Sequence, residues 1–360
     1  FDAYEDSVFV PELMLKSHAL KESTTFDLLD YGYPKQCRQA LPADSTTMPA
    51  ISLWNILKNA IQQQDLTKMP IPINFSEPIS MLQRMCEDLE YVQLLEQAAQ
   101  ETDEAKRLLY ISAFAISSYS STDGRVSKPF NPLLGETFEF VHPEGKFRYL
   151  AEQVSHHPPI GASYCEGPGF VYWNEVHVSS RFRGKYLELR PEGLTHLKLL
   201  DQAHFSWNRV NTAVNNIIVG KLYLEHYGIM RIQQHGSDFC AEIEFLPSGW
   251  RRASCNRIRG VVKNKATNQI IYSIQGKWNE ELFASREEKE NEFSIWKRKP
   301  QPFDAVKSYN MTEFAMSLNE LPTSLSQQLC PSDSRLRPDQ RAMEQGHFTE
   351  ASELKVKLEE

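Results

Sequence analysis

Two adjacent histidines, His156 and His157, stand in the stretch Glu152-Gln153-Val154-Ser155-His156-His157-Pro158-Pro159. On a regular strand, neighbouring side chains point to opposite faces, so both rings could not reach one ligand. The two prolines remove two backbone donors and are expected to end regular pairing. A strand end just before them, where the pleat breaks, lets both rings turn toward one object. Imidazole titrates close to neutral pH and, once protonated, donates charge-assisted hydrogen bonds to an anion. A phosphate monoester fits that description, and so does a metal ion. In most sequences such a pair beside prolines is an ordinary loop, so this reading needs support from elsewhere in the chain.

Composition narrows the choice. With 41% hydrophobic and 24% charged residues, the 360-residue chain has the balance of a soluble globular protein with a sizeable core. No apolar run approaches the roughly 20 residues of a membrane-spanning helix, and no signal-peptide pattern opens the chain. The net charge of −8 argues against a general nucleic-acid binder and against holding anionic membranes by bulk charge. Any membrane contact is expected to be brief or locally basic. The six cysteines are scattered without a C-x-x-C pair, which gives neither a zinc site nor a disulfide framework. A reducing cytosol is the expected compartment. The triplets Asn74-Phe75-Ser76 and Asn310-Met311-Thr312 read as chance matches to a glycosylation signal.

The elements that would position the histidines follow from periodicity. Ser52 is a candidate N-cap before Leu53, Trp54, Ile56 and Leu57. A helix is predicted over about 80–99, with Leu82, Met85, Leu89 and Val92 on one face, and another over about 103–120. Their apolar stripes read as core. Beyond Thr137 short strands follow at 137–141, 147–154, 170–179, 186–190, 195–200, 204–211, 216–224, 229–234, 239–245, 257–263 and 269–276. Such spacing indicates an antiparallel barrel or sandwich, and a barrel of many strands is too wide for side chains to fill. After Trp278 the pattern becomes mixed, and about 338–360 reads as a helix rich in Glu and Lys.

A second block, Lys128-Pro129-Phe130-Asn131-Pro132-Leu133-Leu134-Gly135-Glu136-Thr137-Phe138-Glu139, joins the histidine stretch in resembling the hallmarks of the oxysterol-binding protein family. The resemblance runs from about Ile51 to the C-terminus, through Tyr309 to Ala315, Leu318 to Leu321 and Pro331 to Arg341. It implies an α+β, mostly β fold: a large incomplete antiparallel β-barrel around a lipid tunnel, with an N-terminal lid and helices and a C-terminal mixed subdomain. The lipid-binding domain would occupy 51–360, with a helical part at about 51–120, the barrel at about 121–280 and the C-terminal subdomain at about 281–360. Residues 7–50 would hold the linker and lid. Phe1 to Asp6 resembles the later part of the acidic motif that binds VAP receptors of the endoplasmic reticulum, which would place the protein at contact sites with that membrane.

In family members that bind phosphatidylinositol 4-phosphate, the headgroup site maps onto Lys128, Asn131, His156, His157, Lys355 and Glu359 here. The arginine expected four residues after Glu359 would fall beyond Glu360. A phosphate monoester carries about −1.5 to −2 charges, which lysine ammoniums and imidazoles can meet. Asn131 and Glu359 suit the inositol hydroxyls, which both donate and accept. Ser118 and Tyr119 match a segment near the sterol pocket of relatives and are candidates for orienting a sterol hydroxyl. The implied function is exchange of a sterol for phosphatidylinositol 4-phosphate between membranes, with these lipids as ligands and no cofactor or metal. Phosphatidylserine in place of the sterol and a sterol-responsive scaffold are the rival readings. A lipid-modifying enzyme is disfavoured, because the chain has no Cys-x5-Arg loop, G-x-S-x-G elbow, H-E-x-x-H helix or P-loop.

Overall fold

The computed structural model describes residues 38–49, 72–247, 255–286 and 292–359. The acidic motif at Phe1–Asp6, the helix expected at Ser52 and most of the 7–50 stretch lie outside the described residues. Strand β1 (Ser76–Ser80) leads into helix α1 (Met81–Cys86) through a capping box. The Ser80 hydroxyl accepts from the Gln83 amide, and the Gln83 side chain accepts from the Ser80 amide. A 3-10 turn at Glu87–Tyr91 separates α1 from α2 (Gln93–Gln100), and α3 (Glu104–Ser117) follows behind an Asp103 cap. The single helix expected over 80–99 is therefore two short helices and a tight turn. All four of its predicted stripe residues, Leu82, Met85, Leu89 and Val92, are buried as expected.

Strand β2 (Lys128–Phe130) pairs parallel with β1. The main sheet opens with β3 (Thr137–Val141), β4 (Arg148–His156), β5 (Pro159–Gly167) and β6 (Phe170–Phe182). It continues through β7 (Leu187–Glu192), β8 (Leu194–Leu199), β9 (His204–Asn208) and β10 (Asn211–Asn215). The rest are β11 (Tyr223–Gln234), β12 (Phe239–Phe245), β13 (Arg257–Asn264), β14 (Ile270–Lys277), β15 (Glu281–Ser285) and β16 (Phe293–Lys297). Between β6 and β11 the sheet forks, with β7 and β10 filling one level and β8 and β9 the other. The chain ends with α4 (Glu313–Ser317), α5 (Thr323–Ser326), α6 (Pro338–Glu344) and α7 (Phe348–Glu359).

These strands form the incomplete barrel, with β3 and β16 as its edges. From Ile111 to Ser117 helix α3 is buried on every side, with Leu108 and Leu109 buried in the turn before, and it touches β12, β13, β14 and β16. A helix segment that is largely apolar all round belongs in an interior, and the second half of this one sits against the inner face of the sheet. The two edges are bridged by side chains. Tyr91 meets Trp296 of β16 edge-on at 5.1 Å, while Phe314 of α4 meets Phe140 of β3 at 5.9 Å. The backbone of β3 is also covered, since the Thr137 amide donates to the Ser332 carbonyl at 2.9 Å.

Four departures from the sequence reading have local causes. Pro158-Pro159 does not end pairing: β5 starts at Pro159, opposite His156, because a first strand residue can forgo its N–H. Most of the strand expected at 216–224 is the turn between β10 and β11, where Asn216 and Gly220 adopt positive φ, and 229–234 is the end of one long β11 that runs through Gly228. The sheet also continues past Trp278 through β15 and β16. The C-terminal helix breaks at Gly346, whose φ of +81° ends α6. There the His347 amide donates to Ala342 and the Gly346 amide to Met343, a Schellman closure.

Candidate functional site

Lys128 opens the short strand β2, and Phe130 anchors that strand. The Phe130 ring is buried with Ile73, Met343 of α6 and Ala351 of α7, against the half-buried Leu354. This packing lays the last helix beside Lys128. Lys355 and Glu359, one turn apart on α7, form an ion pair of 2.5 Å. The Lys128 side chain is reached by solvent yet surrounded by protein, as in the wall of a cleft. Burial lowers its ammonium pKa, the Lys355 charge lowers it further, and Glu359 opposes the shift. Lys128, Lys355 and Glu359 thus act on one another across a single site.

Three residues before Lys128, the Arg125 guanidinium is wholly buried between Glu77 of β1 and Glu87, with four hydrogen bonds of 2.7–2.9 Å. Asn131 begins the loop that leads to β3. Its carbonyl accepts from Arg337 Nη1 at 2.8 Å, and the same guanidinium pairs with Glu136 and Asp339. Glu136 in turn accepts from the Leu133 amide. The Asn131 loop is pegged from behind by this buried arginine.

The histidines sit at the tip of the β4–β5 hairpin, where a bulge falls between Gln153 and Ser155. His157 and Pro158 make the turn, and their peptide bond is cis. The two rings lie 4.7 Å apart at 63°, so the hairpin end brings them together. His156 is half-buried, and its Nδ1 is buried without a hydrogen-bond partner among the described residues; His157 is exposed. Gln153 ties the hairpin to the Asn131 loop: its amide donates to Glu136 O and its carbonyl accepts from the Gly135 amide, both at 2.9 Å. The six headgroup candidates thus fall in two groups, Lys128 with Lys355 and Glu359, and the histidine hairpin with the Asn131 loop. Strand β2 and the loop after it join them.

Ser118 and Tyr119 lie at the inner end of α3. The Ser118 hydroxyl donates to Ala115 O at 2.9 Å, and the Tyr119 hydroxyl accepts from the Val210 amide at 2.9 Å. The Tyr119 ring meets His226 at 4.7 Å and Phe245 at 4.8 Å, and burial pushes its hydroxyl up to about 12. His226 is locked between Thr122 and Thr212 at 2.7 and 2.9 Å, and burial pushes it down to about 3, so it stays neutral. Both candidates line a cavity of about 10 Å³, the space of one water, together with Asp88 and Arg209. Asp88 pairs with Arg209 and accepts from the Tyr172 hydroxyl, to which Asn174 donates.

Sequence reasoning missed this polar chain and the Arg337 peg. Neither has a local signature, because the partners come from distant segments. The only signal was that Asn174 and Tyr172 share the inward face of β6.

The family model described as "Oxysterol-binding protein" matches residues 52–360. Human "Oxysterol-binding protein-related protein 3" is 38% identical over 345 residues, which cover 94% of this chain and 38% of that protein. "Oxysterol-binding protein-related protein 1B" of Arabidopsis thaliana is 39% identical, covering 92% of this chain and 68% of the relative. This chain thus spans well under half of the human relative's length. Among solved structures, the Osh1 ORD domain in complex with cholesterol is similar at a TM-score of 0.82 and 36% identity, covering 90% of this chain and 81% of that one. The Osh3 ORD in complex with PI(4)P, from Saccharomyces cerevisiae, gives 0.80 and 32%, covering 90% and 85%.

Proposed function

This chain belongs to the oxysterol-binding protein family, and from that premise we propose that it binds a sterol and phosphatidylinositol 4-phosphate in alternation and carries them between membranes. The observation that carries this reading is the convergence of Lys128 with the Lys355–Glu359 pair, fixed by the burial of Phe130 against α7. Two ammoniums meet a phosphate, and a carboxylate beside them accepts from sugar hydroxyls. His156 offers a ring nitrogen with no protein partner among the described residues, and Asn131 sits on a loop held rigid from behind. That is a preorganised first contact set with its support already built.

The sterol would bind along the inner face, with its hydroxyl toward Ser118 and Tyr119. Burial of apolar area at roughly 25 cal/mol per Å² supplies affinity there without further polar contacts. Two lipids sharing one barrel exclude each other, and mutual exclusion is what permits exchange. The chain would act as a carrier that leaves its cargo chemically unchanged. Cytosolic work at endoplasmic reticulum contact sites, with a VAP receptor as partner through Phe1–Asp6, completes the proposal.

Native mass spectrometry of the chain, mixed with vesicles of sterol, phosphatidylserine and phosphatidylinositol 4-phosphate, tests it beside the His156→Ala/His157→Ala variant. One-to-one capture of sterol and of phosphoinositide, with only the second lost in the variant, is the expected result. Capture of phosphatidylserine in place of sterol would change the second cargo. A wild-type chain that captures no lipid would sink the carrier reading.

A further inference from the structure

A cleft of about 750 Å³ opens on the barrel where β13 and β15 begin and β14 and β16 end. Five cations line it: Arg257, Lys277, Lys297, Arg298 and Lys299. Lys277 is matched by Glu280 at 2.7 Å and Lys297 by Glu281 at 3.8 Å, while Glu292, also in the cleft, is held by Gln275. Arg298 gives one nitrogen to Asp123 at 2.7 Å, and its other terminal nitrogen is buried without a partner. Arg257 and Lys299 have no carboxylate partner among the described residues. Lys299 rests on the Tyr91 ring at 5.4 Å. Lys299 also acts on the buried Glu90 carboxyl, opposing the effect of burial there. Among the described residues, the cleft thus keeps Arg257, Lys299 and one Arg298 nitrogen outside any ion pair.

Directly after Lys299 the chain runs Pro300-Gln301-Pro302-Phe303. Gln301 still lines the cleft, and Phe303, two residues on, is 94% exposed; Val306 is 62% exposed. Both ends of this loop are fastened to one segment: Arg298 to Asp123, and the Asn310 side chain to Gly124 O at 2.7 Å. Lys128 follows four residues after Gly124, within about 14 Å along even a fully extended chain.

We propose that this cleft and the Phe303 loop form a docking surface for an anionic bilayer, with lipid phosphate in the cleft and Phe303 in the interfacial layer. A chain of net charge −8 is repelled by such a bilayer as a whole, so attraction has to come from a local basic site. An acidic protein partner would use the cations and leave the phenylalanine without a role. A bilayer uses both, because phosphate and hydrocarbon lie within one side-chain length of each other there. The fastening to Asp123 and Gly124 sets this surface beside the strand of Lys128, so docking would bring that strand to the membrane. The inference goes beyond lipid binding and does not depend on which lipid is carried.

Flotation of the full chain with phosphatidylcholine vesicles, with and without phosphatidylglycerol, tests the surface without engaging a sterol or phosphoinositide site. The anionic vesicles are expected to bind the chain. Phe303→Ser is expected to lower the partition coefficient about tenfold. Arg257→Gln and Lys299→Gln should each lower it about fivefold at low salt, with the difference fading at high salt. Sterol capture from cyclodextrin, run in parallel, should be the same in all variants. Wild-type flotation by Phe303→Ser overturns the proposal, as does full displacement by inorganic phosphate or polyglutamate that is insensitive to Phe303. If these flotation effects appear in a chain that captures no sterol, the docking surface stands and the carrier reading falls.

Discussion

Lys128 and Arg125 lie three residues apart on the same segment, and their surroundings are opposite. Arg125 has no exposed surface, and its guanidinium is gripped by two carboxylates. Lys128 is open to solvent and feels the Lys355 charge, and the Glu359 carboxylate that acts on it is already paired to Lys355. One charge is satisfied inside the protein, and the other is left for something outside it. Within four residues the chain passes from a fastening that must not move to a group that must stay available. The same contrast separates the barrel interior, where His226 and the Asp88–Arg209 pair are locked, from the hairpin tip, where a His156 nitrogen has no partner among the described residues.

The contrast breaks most sharply at Arg125. In Arg125→Met, Glu77 keeps Arg84 at 2.8 Å as a partner, while Glu87 is left buried without a cation. Breaking a buried pair from one side costs about 3–5 kcal/mol. Urea unfolding should show a loss of that size, and a loss below 1 kcal/mol would mean that the triad is not a fastening. Glu90 comes next. Burial pushes its carboxyl up to about 7, with Lys299 opposing and Thr312 donating a hydrogen bond. A folded-state pKa above the unfolded one means that the folded chain holds the extra proton. This stabilisation is full below about 4.5 and is lost as pH rises through about 7. Glu90→Gln keeps an acceptor for Thr312 and should flatten the fall in stability between pH 5 and 8 by about 2–3 kcal/mol. An unchanged slope in the variant would show that the proton sits elsewhere.

Lys128→Ala is the matching test on the open side. Loss of one charge-assisted contact should weaken phosphatidylinositol 4-phosphate capture by about 2 kcal/mol, roughly thirtyfold, and leave the urea midpoint nearly unmoved. A drop in stability with no change in capture would reverse the roles assigned to Lys128 and its neighbour.

What could be read from the sequence followed the same division. Lys128, Asn131, His156 and His157 sit in contiguous blocks, so resemblance found them without any knowledge of their contacts. Strands such as β3 and β12 emerged with correct ends because their alternation is local. Strand β5 was missed because Pro159, Gly161 and Gly167 punctuate it, and its place is set by neighbours on both sides. The pegs were missed for a stronger reason. Arg337 meets Glu136 across 201 positions, and Arg125 meets Glu77 across 48. No periodicity encodes such a pairing, and an isolated arginine in a polar stretch reads as surface. Lys355 and Glu359 were readable as one helical face, but only the burial of Phe130 and Ala351 shows what that face adjoins.

The smallest expected effect lies at Tyr119, where the two sides of the comparison meet. Its ring is core, packed on His226 and Phe245, and its hydroxyl holds the Val210 amide beside a water-sized cavity. Tyr119→Phe keeps the packing and removes that acceptor, leaving a buried N–H unpaired at a cost of about 1 kcal/mol. If the hydroxyl only fastens Val210, urea unfolding shifts by that amount and sterol affinity stays the same. If it also orients the sterol, affinity for a 3-hydroxysterol falls by a further several-fold while affinity for the matching 3-keto compound falls less. The ratio of the two affinities is the quantity to measure, because the lost Val210 bond alone would leave that ratio unchanged.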